Sequence, residues 1–428
     1  MQIESQGLAE NPLSKVAAQS RFLPVALVFA LLLAAVPPRS HAQTFSVLYT
    51  FTGGTDGGTP NTSLARDKAG NLYGTTQLGG DAACYPLGGG CGVVFKLDPS
   101  GRETVLFAFT AVNGSYGPDG VFPSGLALDP AGNLYGTAFF GGDLNCTDFP
   151  GFGCGTVFKI DSSGKFTLLH QFTAGTDGSN PAAFLIRDSK GNLYGTTQYG
   201  GQGADVGTVF KVDSKDKESV LYSFQSGTDG GTPVTGLVRD SAGNLYGATL
   251  YGGDMSCTSL GCGTIFKVDS SGKHTVLYKY HGGKNGRGSS DLFRDTSGNL
   301  YGTTYIGGNT ACASPDGCGT VFELTSANKY SVRYTFANYN DGINPCCGVI
   351  RDSAGNLYGN TSYGGTFNNG TVFKLDSKGK KTVLYTFTGG ADGGVPSARL
   401  IMDSAGNLYG TTYQGGAFGA GTVFKITP

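Results

Sequence analysis

The 428-residue sequence has almost no excess charge of either sign. Its 30 basic and 31 acidic residues give a formal net charge of −1. The chain therefore offers no basic surface to neutralise the phosphates of a nucleic acid, and no polybasic tract for anionic lipid. We expect no nucleic-acid partner.

The main apolar run is also short for a membrane span. It extends from Phe22 to Val36, about 15 residues, and follows Arg21. The small residues of a Ser-His-Ala sequence end at Ala42, which predicts cleavage after that residue. We interpret residues 1–42 as a signal peptide, with an uncleaved anchor as the alternative. The mature chain is then secreted to the periplasm or the cell exterior, with no stable membrane insertion.

Sequence features of catalytic sites are scarce. Only three histidines follow residue 42, namely His170, His274 and His281, and they are scattered over strand and turn positions. There is no Gly-x-Ser-x-Gly elbow, and no isolated pair of carboxylates stands out. The sequence predicts no catalytic residue.

Glycine, in contrast, is abundant, and it marks a repeat. The 73 glycines follow no three-residue period, which indicates many tight turns. The pentapeptide Gly-Asn-Leu-Tyr-Gly occurs seven times at intervals of 51 to 62 residues, which is typical of propeller blades. The seven copies start at Gly70, Gly132, Gly191, Gly243, Gly298, Gly355 and Gly406.

Three further segments recur around each pentapeptide. A short apolar segment ending in Asp precedes it, and Gly-Thr-Val-Phe-Lys and Val-Leu-Tyr-x-Phe follow it. All are rich in β-branched and aromatic residues and bounded by turn residues, so each is a predicted strand. Seven units of four antiparallel strands predict an all-β, seven-bladed β-propeller, as a single domain over residues 43–428.

The order of the segments also predicts how the ring closes. The mature chain opens with a fourth-strand segment, Val47 to Phe51, and ends with a third-strand segment, Gly421 to Ile426. We therefore expect the N-terminal strand to complete the last blade and remove two exposed sheet edges.

The turns between third and fourth strands predict a left-handed backbone. Most have Gly in an Asp-Ser-x-Gly-x sequence, and two have Asp or Asn, the other residues that tolerate this conformation best. The predicted positions of positive φ are Gly101, Gly164, Asp216, Gly272, Asn328 and Gly379.

These motifs resemble those of a known family. Asp-Ser-Ala-Gly-Asn-Leu-Tyr-Gly-Thr-Thr, a Gly-Gly and Gly-Thr-Val-Phe-Lys-Leu are similar to the repeats of the bacterial GloVer proteins, called choice-of-anchor tandem repeat proteins. The resemblance extends over nearly all of residues 43–428. It implies an exported repeat protein and brings no established catalytic residue or ligand.

Ten cysteines in an exported chain favour disulfides. Eight lie in loops between second and third strands, and those four loops are longer than the three loops without cysteine. We therefore expect each pair to staple its own loop: Cys84 with Cys91, Cys146 with Cys154, Cys257 with Cys262, and Cys312 with Cys318. A zinc site is the alternative, although it would normally need paired histidines. Cys346 and Cys347 are adjacent, and their redox state is left open.

Alternating strand direction places all second-to-third-strand loops and blade connections on one face, the loop face. We expect any ligand site there, near the central channel. Aromatic residues stand at or near the Gly-Gly of most blades and are the candidate ligand-binding residues, with filling of space between blades as the alternative. They are Phe140, Tyr199, Tyr251, Tyr305, Tyr363 and Tyr413.

Two repeated charged positions have structural and functional interpretations. Asp-Gly in the blade connections, at Asp56, Asp177, Asp229 and Asp392, normally makes a turn but can also hold calcium. Apart from this calcium hypothesis, we expect no cofactor. Arginine before the first-strand Asp recurs in five blades, which favours a repeated structural ion pair over an anion site. These arginines are Arg66, Arg187, Arg239, Arg294 and Arg351.

Two functional hypotheses remain. The first is a non-enzymatic binding or scaffold protein that presents its loop face to an extracellular glycan, peptide or surface protein. The second is a propeller enzyme, a lyase or hydrolase, with its site at the mouth of the channel. Propellers host both classes, so the fold does not choose between them.

Overall fold

The computed structural model describes residues 43–84, 89–112, 115–310, 312 and 316–427. Residues Ala42–Pro428 form one structural unit. The predicted signal peptide, residues 1–42, lies outside the described residues.

Seven antiparallel sheets, each made of four repeat segments, form a seven-bladed β-propeller, as predicted. In blades 2 and 5 the first strand is split in two, so their sheets count five strands. Blade 1 comprises Ala65–Arg66, Leu72–Thr75, Val93–Leu97 and Glu103–Ala108; blade 2, Val121–Pro123, Ala127–Leu128, Leu134–Phe140, Thr156–Ile160 and Phe166–Gln171; blade 3, Ile186–Arg187, Leu193–Thr197, Thr208–Val212 and Glu218–Ser223; blade 4, Val238–Arg239, Leu245–Ala248, Thr264–Val268 and His274–Lys279. Blade 5 comprises Arg287–Ser289, Phe293–Arg294, Leu300–Ile306, Thr320–Leu324 and Tyr330–Thr335; blade 6, Val349–Arg351, Leu357–Thr361, Thr371–Leu375 and Lys381–Thr386; blade 7, Ile401–Met402, Leu408–Thr412, Thr422–Thr427 and Thr44–Thr50.

Short elements lie in the connections between blades. Two two-residue strands, Ala111–Val112 and Ser115–Tyr116, pair with each other between blades 1 and 2. Three 3₁₀ helices precede blades 4, 5 and 6 and span Gly227–Asp229, Gly283–Asn285 and Tyr339–Asp341.

The N-terminal strand closes the ring. Thr44–Thr50 pairs antiparallel with Thr422–Thr427, from Thr44 opposite Thr427 to Thr50 opposite Thr422. It therefore forms the fourth strand of blade 7, which confirms the predicted closure. The six predicted turn positions all have positive φ, between 60° and 87°, with Asp216 at 63° and Asn328 at 60°.

Each blade is organised by one aspartate between its first and second strands. In blade 3, Asp188 accepts hydrogen bonds from the backbone N–H and Nδ2 of Asn192, both at 2.9 Å, and from the Tyr194 hydroxyl at 3.0 Å. Burial raises the pKa of Asp188, but these hydrogen bonds outweigh it and leave the pKa below its usual value. All seven blades repeat this Asp–Asn–Tyr arrangement, at Asp67, Asp129, Asp188, Asp240, Asp295, Asp352 and Asp403.

The repeated arginines join five of these seven arrangements to the next blade. The Arg239 guanidinium lies 5.7 Å from the centre of the Tyr194 ring and 4.0 Å from Oδ2 of Asp188. The other four arginines stand over the corresponding tyrosines of their preceding blades at 5.3–5.7 Å. The predicted ion pair with the aspartate is present for Arg187, Arg239 and Arg351, at 3.7–4.0 Å. All five arginines contact the tyrosine of the preceding blade.

Aromatic rings fill the remaining space between blades. Phe210, on the third strand of blade 3, is fully buried and fits against Gly195, where a Cβ would lie 2.6 Å from its Cζ. Phe172, from the end of blade 2, packs edge-on against Phe210 with centroids 5.1 Å apart. Every blade interface has such an edge-on pair, at 5.1–5.8 Å.

Shortening Phe51 tests the closure. Phe51 is fully buried and packs edge-on on Phe95, 5.1 Å away, so Phe51→Ala should lower the free energy of unfolding by about 3–5 kcal/mol. Val47→Ala, at an exposed position of the strand that Phe51 directly follows, is the matched control and should cost little. Chemical denaturation of both variants measures the difference. Equal, small losses would mean that the N-terminal strand is not part of the cooperative ring.

Candidate functional site

The four predicted cysteine pairs staple the loops of the loop face. Their Cα–Cα distances are 5.4 Å for Cys84–Cys91, 5.6 Å for Cys146–Cys154, 5.9 Å for Cys257–Cys262 and 5.8 Å for Cys312–Cys318. The adjacent Cys346 and Cys347 are also joined, with Cα atoms 3.7 Å apart. This last pair lies in the connection to blade 6, beside the channel rather than in a second-to-third-strand loop.

The six candidate aromatic residues do not form one ring around the channel. Tyr305 and Tyr413 stand two residues before Gly-Gly, whereas the other four stand directly before it. Successive residues of a strand point to opposite sides, so this one-residue offset separates the two sets. Tyr251, Tyr305, Tyr363 and Tyr413 are 36–40% exposed.

Phe140 and Tyr199 contribute to packing around blade 2. Phe140 lies 5.5 Å from Phe149 and 5.9 Å from Tyr116, and Tyr199 lies 5.7 Å from Phe149. These contacts correspond to the space-filling alternative. Ligand binding by the aromatic set stays a prediction, with Tyr251, Tyr305, Tyr363 and Tyr413 as its most accessible members.

The aspartates of the Asp-Gly turns are engaged by their own blade connections. Asp229 accepts hydrogen bonds from the Tyr222 hydroxyl and the Gln225 backbone N–H, each at 2.8 Å. Asp56, Asp177 and Asp392 accept from a corresponding tyrosine or histidine and backbone N–H. In the described part of the chain, no three His, Cys, Asp or Glu side chains converge where they could hold a metal ion. Calcium binding stays an untested hypothesis.

A cavity of 640 Å³ lies at the loop-face end of the central channel. Five of its lining residues come from one repeat position, the residue directly before the Leu or Val at the start of the first strand. We call the seven residues at this position the channel ring: Ser63, Gly125, Phe184, Gly236, Asp291, Gly348 and Arg399. Phe184, Asp291 and Arg399 all line the cavity.

Three members of the channel ring break the symmetry of the repeat. Asp291 accepts a hydrogen bond from the backbone N–H of Gly236 at 2.8 Å. The Arg399 guanidinium lies 6.0 Å from the centre of the Phe184 ring, and its Nη1 donates to the Leu292 carbonyl at 3.5 Å. Glycine at position 236 leaves room for Phe184, because a Cβ there would overlap the ring.

Asp291 and Arg399 interact electrostatically in this cavity. Burial raises the pKa of Asp291, and the charge of Arg399 opposes that shift. Burial also lowers the pKa of Arg399, and Asp291 opposes that shift in turn. The pair therefore places one acceptor and one donor in the cavity while adding no net charge when both are ionised.

Phe184, Asp291 and Arg399 are not among the candidate site residues predicted from the sequence. Their signal is visible only when the seven first strands are aligned on their Leu or Val. The preceding position is then Ser or Gly in four blades and Phe, Asp or Arg in the other three.

Comparisons with known proteins agree with the repeat and the fold. A model of the Gloeobacter/Verrucomicrobia repeat matches residues 90–314 and 308–428. No curated protein is significantly similar to the chain in sequence.

Among solved structures, virginiamycin B lyase from Staphylococcus aureus aligns with a TM-score of 0.57 at 11% identity, over 90% of this chain and 99% of the lyase. A streptogramin B lyase aligns with a TM-score of 0.56 at 12% identity, over 90% of this chain and 97% of the lyase. The extracellular domain of a putative hybrid two-component system from B. thetaiotaomicron aligns at 0.55 and 10% identity, over 89% of this chain and 40% of that one. At these identities the similarity is one of fold.

Within the described residues, no helix combines the length and apolar character needed to span a membrane.

Removing Arg399 tests the electrostatic pair. A raised pKa means that the folded protein favours protonated Asp291, so its contribution to stability is present below pH 3.8 and is lost as pH rises through the folded pKa. Arg399→Met removes the opposing charge and raises that pKa further. We expect the loss of unfolding free energy to grow between pH 4 and pH 8, to about 1–3 kcal/mol.

Urea denaturation across this pH range measures the effect. The double variant Asp291→Asn with Arg399→Met should show a cost that does not change with pH. Lys329→Met, which removes a charge from an exposed hairpin turn, is the control. A pH-independent loss in the single variant would contradict the interaction.

Proposed function

The chain belongs to the Gloeobacter/Verrucomicrobia repeat family, and we propose that it is an exported, non-enzymatic binding protein whose channel-mouth cavity binds the neutral, hydroxyl-rich end of a glycan. The observation that carries this proposal is the channel ring. Phe184, Asp291 and Arg399 depart from the repeat at one position and meet in one cavity. Residues that only stabilise blades recur from blade to blade, whereas a single ligand site has to differ from that pattern.

The composition of the cavity favours a neutral hydrogen-bonding ligand. Asp291 supplies an acceptor and Arg399 a donor, and amide side chains of Asn61, Gln77 and Gln198 line the walls. A sugar hydroxyl both donates and accepts, so it matches this mixture of groups. The volume of 640 Å³ also lies within the ~300–1,000 Å³ typical of small-ligand sites.

Two buried polar atoms without a hydrogen-bond partner, together with two aromatic rings, support the same ligand class. Oδ1 of Asn61 is buried and has no hydrogen-bond partner among the described residues, and the same holds for Oγ of Ser397. Phe139 and Tyr413 stand at the cavity wall, where an aromatic face can pack on the C–H side of a sugar ring.

Export is supported by three observations. The N-terminal sequence has the charge, apolar run and small residues of a signal peptide. Five cysteine pairs suit an oxidising compartment. An extracellular domain of a two-component system is among the proteins with this fold.

A lyase or hydrolase at the same mouth is the alternative function. A carboxyl group with a raised pKa, as at Asp291, is a property of general acids, and two of the similar folds are lyases. No histidine is among the described residues that line this cavity, so none of its serine or threonine hydroxyls has an imidazole base beside it there.

A glycan screen tests the proposal. The chain from residue 43 is applied to a glycan array with and without calcium, and hits are measured by titration calorimetry. Arg399→Met and Asp291→Asn should each weaken binding at least about tenfold, since each removes a hydrogen-bonding partner worth ~1.5–3 kcal/mol. Phe418→Ala, at a 65% exposed residue in a blade 7 loop, is the control and should bind normally.

Three results would change the conclusion. A blank array, or a hit unaffected by both cavity variants, would contradict glycan binding in the cavity. Breakdown of a bound glycan that Asp291→Asn abolishes would favour the enzyme alternative. Binding that requires calcium would support the Asp-Gly hypothesis.

A further inference from the structure

A second cavity opens on the loop face between blades 4 and 5. It has a volume of 480 Å³, and Leu250, Tyr251, Leu260, Tyr305 and Ile306 are among its lining residues. We propose that this interblade pocket is an aromatic-binding subsite, which takes a neutral aryl group attached to the sugar bound in the channel-mouth cavity. Its link to a sugar rests on the proposed function, whereas its affinity for an aryl group does not.

The pocket exists because blade 5 departs from the repeat. In the other six blades, a proline packs its Cδ against the glycine before the third strand of the preceding blade; it lies in the blade connection, or in blade 2 within the split first strand. These pairs are Pro60 with Gly421, Pro123 with Gly92, Pro181 with Gly155, Pro233 with Gly207, Pro345 with Gly319, and Pro396 with Gly370. Blade 5 has Ser289 in place of the proline, and no proline covers Gly263.

A second departure accompanies the first. The residue directly after the fourth strand is Phe in six blades and Tyr280 in blade 4. Tyr280 is fully buried, and its hydroxyl donates to Oγ of Ser289 at 3.0 Å. The two substitutions therefore form a matched pair, which satisfies the buried hydroxyl at the place where the other blades have apolar Phe and Pro.

Gly288 keeps the entrance open. A Cβ at this position would have only Cδ1 of Leu250 and Cβ of Tyr305 within 4 Å, at 3.8 and 3.9 Å. On the other wall, the Cys257–Cys262 disulfide closes a five-residue separation and holds Leu260, which is 58% exposed. An apolar side chain held in this exposed position is costly in water and gains by contact with an apolar group.

The lining selects an aromatic occupant over an aliphatic one. Tyr251 and Tyr305 present half-exposed rings, 39% and 40% accessible, which pack edge-on or offset against another ring. Cys262 and Cys346 add sulfur atoms to the lining, and sulfur makes favourable contacts with aromatic edges. Arg287 also lines the pocket and is paired with Asp316 at 2.9 Å, so it brings no excess charge and a neutral group is favoured.

The interblade pocket and the channel-mouth cavity share a wall. Val234, Ser289 and Cys346 line both of them. A ligand that places a sugar over Asp291 and Arg399 can therefore direct a substituent past Cys346 into the interblade pocket. The joined Cys346–Cys347 pair forms part of the boundary between the two subsites.

Phenol is the probe for the interblade pocket alone, and saturation-transfer NMR measures its dissociation constant. The blocking variant is Tyr280→Phe with Ser289→Pro, which restores the residues of the other blades. Proline is compatible with this position, because Pro123 occupies it in blade 2 in the same pairing with the second strand. Leu260→Ser is a second variant that changes only an exposed side chain.

We expect phenol to bind the native chain and to bind at least about fivefold more weakly to both variants, with unfolding midpoints near the native value. Arg399→Met should bind phenol normally, since it lies in the other cavity. Native affinity for phenol in the blocking variant and in Leu260→Ser would overturn the proposal, as would absence of phenol binding to the native chain.

Paired glycosides test the link between subsites. Each sugar that binds in the array is compared as its methyl and phenyl glycoside, and the phenyl form should bind about tenfold tighter to the native chain but equally in the blocking variant. Equal binding of both forms to the native chain would overturn the link. If phenol binds as expected while no sugar does, the proposed function fails and the aromatic subsite stands.

Discussion

A hydrogen-bonded aspartate at the first turn of each blade is the contact on which the rest of the propeller depends. In blade 4, Asp240 accepts from the backbone and side chain of Asn244 and from the Tyr246 hydroxyl, so it closes the turn and fixes the direction of the tyrosine ring. That ring in turn receives Arg294 of blade 5 at 5.3 Å. One carboxylate therefore supports both the hairpin within a blade and the contact to the next blade. The aspartate arrangement recurs in all seven blades, and the arginine contact recurs at five of the seven blade interfaces.

Because the repeated residues stabilise the fold, the residues at other positions can differ from blade to blade. The channel ring shows how such variation is accommodated: Gly236 leaves space for Phe184 and donates its N–H to Asp291. Blade 5 shows the same principle, since Tyr280 and Ser289 replace the Phe and Pro of the other blades as a bonded pair. Both departures open toward the loop face, and the cavities they create share a wall. The candidate site is thus built where the repeat is broken, on a frame that the repeat holds rigid.

The solved structures with this fold include lyases and the extracellular domain of a two-component system at 10–12% identity. Such breadth is expected of propellers, in which the frame is common and the residues at the channel mouth differ. The function of this chain therefore depends on its own cavity residues rather than on the shared fold. Their balanced charge, amide groups and aromatic rings favour recognition of a neutral ligand, and this is a property of Asp291, Arg399 and their neighbours rather than of the fold.

The sequence by itself determined the blade count, the strand order, the left-handed turns, the ring closure and the four cysteine pairings within loops. These features depend on local pattern: each turn needs residues that tolerate positive φ, and each strand needs its β-branched and aromatic residues within one repeat. The tertiary structure alone decided the site. Asp291 and Arg399 lie 108 residues apart and meet only after the ring has closed around the channel. Likewise, only the structure shows that Phe140 and Tyr199 pack on Phe149, whereas the other four candidate aromatic residues are 36–40% exposed. Ser289 stands where the other blades have a proline, and it leaves Gly263 uncovered. This consequence depends on the fold, because the neighbouring blade brings Gly263 beside Ser289.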